Sequence, residues 1–138
     1  MTRVLVPVDD SEGSEEALGH ADSAFPDAEI VLLHVVDPID SGYDAESVML
    51  GYSEDWYASQ EETAEELFER ARERTGREFE TAIEVGRPAR EIVEYAERED
   101  VRHVVMGSHG RSGVARILLG SVAETVVRRS PVPVTVVR

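Results

Sequence analysis

Apolar residues recur along the chain with two alternating periods. The runs "RVLVPV" (3–8), "EIVLLHVV" (29–36), "FETAIEV" (79–85), "VRHVVMG" (101–107) and "VPVTVV" (132–137) predict five strands. Most are too continuously apolar for a sheet with one wet face, so parallel strands covered on both sides are expected. Between them the period changes to that of a helix. Ala17, Leu18, Ala21 and Phe25 share one face of 11–25, with Ser11 as the predicted cap. Ala64, Leu67, Phe68 and Ala71 do the same in 53–75, with Gly76 just past the end. Pro88 opens a helix carrying Ala89, Ile92, Val93 and Ala96, and a last helix runs to Arg128 and Arg129.

Strands alternating with helices imply an open parallel sheet with right-handed crossovers and helices on both faces. Ligands of such sheets bind beyond the carboxyl ends of the strands, where the strand order reverses. With the first strand central, in the order 3-2-1-4-5, that crevice lies between "VPVDD" (6–10) and "VMGSHG" (105–110). The connection 37–56 lacks clear periodicity and follows the second strand. It reads either as a lid over the same crevice or as a variable surface excursion.

The crevice coincides with the densest glycine run of the chain. Gly107 and Gly110 form a Gly-x-x-Gly after the fourth strand, where successive N–H groups make an anion-binding concavity or merely a tight turn. Gly120 precedes Ser121, and Ser121 with Glu124 matches a capping box, so Ser121 is expected to cap the last helix. Such a helix start suits phosphate oxygens, although a capped start after a turn glycine is also an ordinary structural device. Two glycine sites flanking a segment that folds back are better explained together, as a cradle for a polyphosphate. Arg111 and Arg116 lie between them to neutralise charge, and Gly113 is left without a role. Asp9 and Asp10 form an acidic wall that would hydrogen-bond a ribose hydroxyl or hold magnesium beside phosphates.

Composition narrows the alternatives. The 138-residue chain is long enough for one domain and short for two. It has no cysteine, and its amino terminus lacks the pattern of a secretion leader, so a soluble cytoplasmic protein with neither membrane span nor thiol chemistry is expected. Asp and Glu number 29 against 14 basic residues, all arginine, for a net charge of -15. That surface repels nucleic acid and suggests adaptation to concentrated salt. A phosphorylated receiver domain would need a lysine after the fifth strand and an acceptor Asp after the third, and neither is there. His20, His34, His103 and His109 have no metal-ligand spacing and read as ordinary surface or core imidazoles.

The spacing Gly107-x2-Gly110-x9-Gly120-Ser121 resembles the nucleotide-binding signature of the ATP-binding branch of the universal stress protein family. "VLVPVDDSEGSEEAL", "VLLHVVDP" and "VGRPAREIVEYAERED" extend the resemblance over nearly all of residues 1–138, as a single domain with a Rossmann-like fold. The resemblance implies that Pro7, Val8 and Asp9 line the adenosine end and that the backbone of Val35 meets the adenine. It further implies that Met106, Gly107, Gly110 and Arg111 wrap ribose and phosphates, while Gly120, Ser121 and Val122 close on the phosphate tail. ATP or another adenine nucleotide is the implied ligand, with Asp9 as a magnesium ligand beside the phosphates. A homodimer pairing through 132–137 is also implied, although Pro131 and Pro133 interrupt that edge. The function so implied is a nucleotide-dependent stress-response switch or sensor with slow ATP hydrolysis or autophosphorylation at Ser121 at most, acting on an unidentified protein partner. Two alternatives are a nucleotide-free interaction module of the same fold and an ATP-using enzyme acting on a small molecule.

Overall fold

The computed structural model describes residues 2–39, 54–109 and 119–138. The element order is β1 (Arg3–Pro7), α1 (Glu12–Ala24), β2 (Glu29–Val36), α2 (Glu54–Thr75), β3 (Glu80–Val85), α3 (Pro88–Arg98), β4 (His103–Gly107), α4 (Ser121–Arg129) and β5 (Val134–Val137). All pairings are parallel and the sheet order is β3-β2-β1-β4-β5. The Rossmann-like arrangement expected from the alternating periods is therefore the observed one. Residues 40–53, the greater part of the 37–56 connection read as a lid or a surface excursion, lie outside those described, as do Gly110, Arg111, Gly113 and Arg116.

Alternation along the central strands divides the core between two layers. Val4, Val6 and Val8 of the first strand and its extension, with Ile30, Leu32 and Val105, pack against Ala17, Leu18 and Ala21 of α1 and Ala64, Phe68 and Ala71 of α2. Leu5, Val31, Leu33, Val104 and Met106 point the other way, onto Ile92, Tyr95 and Ala96 of α3 and Ala123 and Val126 of α4. Because side chains on a strand change face at each residue, one apolar run supplies both layers. This is why β1, β2 and β4 needed continuous rather than alternating hydrophobicity.

The helix ends follow local chemistry. Ser11 caps α1, its hydroxyl accepting from the Ser14 amide at 3.1 Å. Gly76 takes φ +72° beyond α2, and Pro88 stands at the start of α3. Several boundaries differ from the sequence expectation: most by one residue, and β4 by two, starting at His103 rather than Val101. The fifth strand starts at Val134 rather than Val132, because Ser130 and Val132 form a turn in which the Ser130 hydroxyl donates to the Val132 carbonyl at 2.8 Å. The capping box at Ser121 does not form. Gly120 is the N-cap, Ser121 is the first helical residue, and Glu124 turns forward to Arg128 at 3.3 Å. With Gly120 at the cap and its amide bonded to the Ser108 carbonyl, Ser121 stands one residue too far into the helix for the reciprocal cap.

Candidate functional site

The site is built around the carboxyl ends of β1 and β4, the two strands between which the chain reverses direction across the sheet. After β1 the backbone is held at every turn. The Val8 amide donates to the Leu33 carbonyl at 2.8 Å, and the Val8 carbonyl lies 2.8 Å from His34 Nδ1. The Asp9 amide donates to the Ser14 hydroxyl at 3.0 Å, while Asp9 Oδ1 accepts from the Ser11 amide at 2.8 Å. The "DDSEGS" segment is thus a rigid turn feeding α1. Asp9 lines an open cleft with Val8, Asp10, Ser14, Leu18 and Arg70, between that turn and the packed faces of α1 and α2.

After β4, three glycines let backbones meet. A Cβ on Gly107 would stand 2.7 Å from the Gly13 carbonyl carbon, and one on Gly13 would stand 2.6 Å from the His109 oxygen. A Cβ on Gly120 would stand 2.9 Å from the Ser108 oxygen, which accepts the Gly120 amide at 2.8 Å. Gly107 carries no positive φ. Its missing side chain is therefore explained by the close approach of α1, a packing role that does not itself require an anion. The bond between Gly120 and Ser108 joins the two ends of the 107–121 segment, as expected if it folds back.

The predicted residues divide accordingly. Pro7, Val8 and Asp9 lie at the end of β1, Gly107 is the last residue of β4 against Gly13, and Gly120 meets Ser108 just beyond it. Ser121 is exposed at the first position of α4, where no side chain caps the helix. Met106 is buried in the layer under α3 and α4, and Val35 and Val122 pack against the same layer, so their side chains belong largely to the core. Among the described residues no three His, Asp or Glu side chains gather as a metal site, and no helix is long and apolar enough to cross a membrane.

Sequence reasoning missed Gly13, Ser14, His34 and Ser108. A glycine in the first turn of a helix is a signal of close approach, since it carries a helix cost with no local benefit. Ser11 and Ser14 at i,i+3 after a strand also signalled more than a cap. His34 left no trace, because an imidazole in an apolar strand has no distinguishing pattern.

An open parallel sheet in the order β3-β2-β1-β4-β5, with a carboxylate after β1 and close-packed glycine backbone after β4 at its reversal point, defines a Rossmann-like α/β protein. The family model described as "Universal stress protein family" matches residues 1–138. Universal stress protein MJ0577 of Methanocaldococcus jannaschii is 36% identical over 152 residues, covering 99% of this chain and 94% of the relative. MJ0531 of the same organism is 35% identical, covering 99% and 81%. The solved MJ0577 structure superposes with a TM-score of 0.80 at 37% identity, covering 99% and 94%. A universal stress protein solved in complex with cAMP superposes at 0.66 with 27% identity, covering 99% and 96%. The chain belongs to the universal stress protein family.

Proposed function

We propose that the chain, acting as one domain over residues 1–138, binds an adenine nucleotide between the carboxyl ends of β1 and β4 and serves as a nucleotide-dependent switch in a stress response. The observation that carries this reading is the bond from the Gly120 amide to the Ser108 carbonyl, which brings the uncapped start of α4 beside the end of β4. A helix start with no competing side chain offers its N–H groups and positive dipole end to phosphate oxygens. The relative that holds cAMP supports an adenine ligand.

In this reading Pro7, Val8 and Asp9 meet the adenosine, with the Val35 backbone at the base. Met106, Gly107, Gly110 and Arg111 enclose ribose and phosphates, while Gly120, Ser121 and Val122 receive the phosphate tail. For Met106 and Val122 the contact falls to the backbone, since their side chains serve the core. One Asp9 oxygen already accepts from the Ser11 amide and no three His, Asp or Glu side chains gather among the described residues, so the remaining Asp9 oxygen suits a ribose hydroxyl better than magnesium. The reading is of a binding protein with weak hydrolysis at most. The protein works in the cytoplasm, in concentrated salt, as a homodimer paired through β5, and signals to a protein partner.

Titration calorimetry of the purified chain with ATP, ADP and AMP, with GTP as control, tests the assignment. Saturable binding of an adenine nucleotide supports it, and absence of heat with all of them overturns it. Gly120 is a poor probe here, because any side chain there strikes the Ser108 carbonyl and disturbs the loop directly. Asp9→Asn keeps the acceptor for the Ser11 amide while removing the charge, and should weaken binding without unfolding the turn.

A further inference from the structure

The turn after β1 is braced more heavily than a helix start requires. Ser14 is one of the few buried polar residues, 7% exposed, and its hydroxyl takes the Asp9 amide. Helix formation does not explain it, since alanine would suit that position of α1 better. On the other side His34 reaches across from β2 to the Val8 carbonyl at 2.8 Å. A carbonyl only accepts, so Nδ1 carries the proton. Together with the Val8 amide on Leu33, every backbone polar group from the Val8 amide to the Asp9 amide is fixed by a neighbouring element. Asp9 Oδ1 is occupied by the Ser11 amide, and its other oxygen accepts from none of the described residues.

We propose that Ser14 and His34 are positioning residues that lock Asp9 so that its second carboxylate oxygen is held ready for the vicinal diol of a ribose. This rests on the nucleotide-binding reading above and adds to it the origin of sugar selectivity. A carboxylate whose backbone and first oxygen are already ordered gives up little freedom when a diol arrives. Freed from its brace, the same carboxylate samples other rotamers and the diol loses its advantage over hydrogen.

The test compares ATP with 2′,3′-dideoxy-ATP by titration calorimetry on the full chain, for wild type, Ser14→Ala, His34→Asn and His34→Leu. The amide nitrogen of Asn stands close to the place of Nδ1, so Asn restores the donor and Leu does not. Wild type should prefer ATP by about tenfold or more, the worth of a hydrogen bond to a charged group. Ser14→Ala and His34→Leu should weaken ATP about tenfold and leave the dideoxy analogue nearly unchanged, while His34→Asn keeps the wild-type ratio. If the Ser14 variant does not fold, the two His34 variants alone decide. Equal losses for both ligands, or no loss for either, overturn the positioning role while nucleotide binding stands. Equal wild-type affinity for both ligands overturns the diol contact in the same way. A wild-type chain that binds no ATP removes the nucleotide reading and this inference with it.

Discussion

Gly13 and Gly107 meet backbone to backbone: a methyl group added at Gly107 would stand 2.7 Å from both the carbonyl carbon and the carbonyl oxygen of Gly13. The contact presses the first turn of α1 against the end of β4 and so sets the width of the proposed crevice. Gly107→Ala should destabilise the fold by about 1–3 kcal/mol, the usual cost of overpacking where backbone cannot yield. Thermal unfolding would show it as a fall of about 3–5 °C per kcal/mol. A variant that melts with wild type would mean that α1 moves freely at this point.

Arg77, two residues beyond α2, closes the carboxyl end of α1. Its guanidinium donates to Asp22 Oδ1 at 3.1 Å, to the Asp22 and Phe25 carbonyls at 3.3 Å, and to the Ala28 carbonyl at 2.7 Å. The last turn of α1 has no basic residue of its own, so Arg77 supplies both the missing donors and the charge. Arg77→Ala should cost about 1–3 kcal/mol in urea unfolding, because it leaves half-buried carbonyls without their charged donor. Arg77→Lys should recover only part, since an ammonium cannot fork across four acceptors.

The fold was legible because hydrophobic periodicity is set by the same alternation that divides the core: Val4 and Val6 face α1 and α2, and Leu5 faces α3 and α4. Ser11 was legible as a cap because nothing nearby competes for its hydroxyl. Ser121 was not, because the tertiary bond from the Gly120 amide to the Ser108 carbonyl goes with a helix that starts one residue earlier, with Gly120 at the cap. Gly107 was noticed as a site residue, but its contact is with Gly13, 94 residues earlier in the chain. A tertiary approach of that kind leaves only the bare fact of a glycine. His34 and Ser14 act on Val8 and Asp9 through single hydrogen bonds, which impose no periodicity to read.

His103 makes stability depend on pH at the opposite end of the sheet. Burial, then the charge of His20, hold its pKa below the ordinary imidazole value of 6.5. Its ring lies 5.0 Å from that of Phe25, and Nε2 is 2.7 Å from the Thr135 hydroxyl, tying β4 to β5. The unfolded chain therefore binds this proton more readily than the folded one. The stabilisation is complete above pH 6.5 and declines as the pH falls through the lowered folded value. His103→Gln keeps a polar group near the place of Nε2 without titrating. Between pH 7.5 and 5, its unfolding free energy should fall less than that of wild type; parallel curves would show that His103 titrates normally.

Salt should stabilise the protein. Glu61, Glu62, Glu65, Glu66 and Glu69 are all exposed on α2, and the pairs 61–65, 62–66 and 65–69 set like charges one turn apart. Each such pair costs about 0.2–0.5 kcal/mol when unscreened. The Debye length shortens from about 10 Å at 0.1 M to about 3 Å at 1 M, so much of that repulsion is removed. The melting temperature should rise steadily with KCl, a salt chosen because sulfate would also strengthen apolar burial. A flat response would rule out adaptation to concentrated salt.

The edge strand β5 gives the proposed dimer its most specific test. The Pro133 carbonyl accepts from the Val104 amide at 3.0 Å and the Val137 carbonyl from the Ser108 amide at 2.9 Å, so these alternate positions face β4. Alternation turns the backbone groups of Val134 and Val136 outward, where a second copy of the strand would pair. Pro133 consequently does not block the edge: its absent N–H lies on the β4 side. Val136→Pro removes an outward donor while sparing the bonds to β4. Sedimentation velocity should then show a wild-type dimer and a Val136→Pro monomer with an unchanged circular dichroism spectrum. A variant that remains dimeric would place the interface away from β5, and a monomeric wild type would dispose of the dimer altogether.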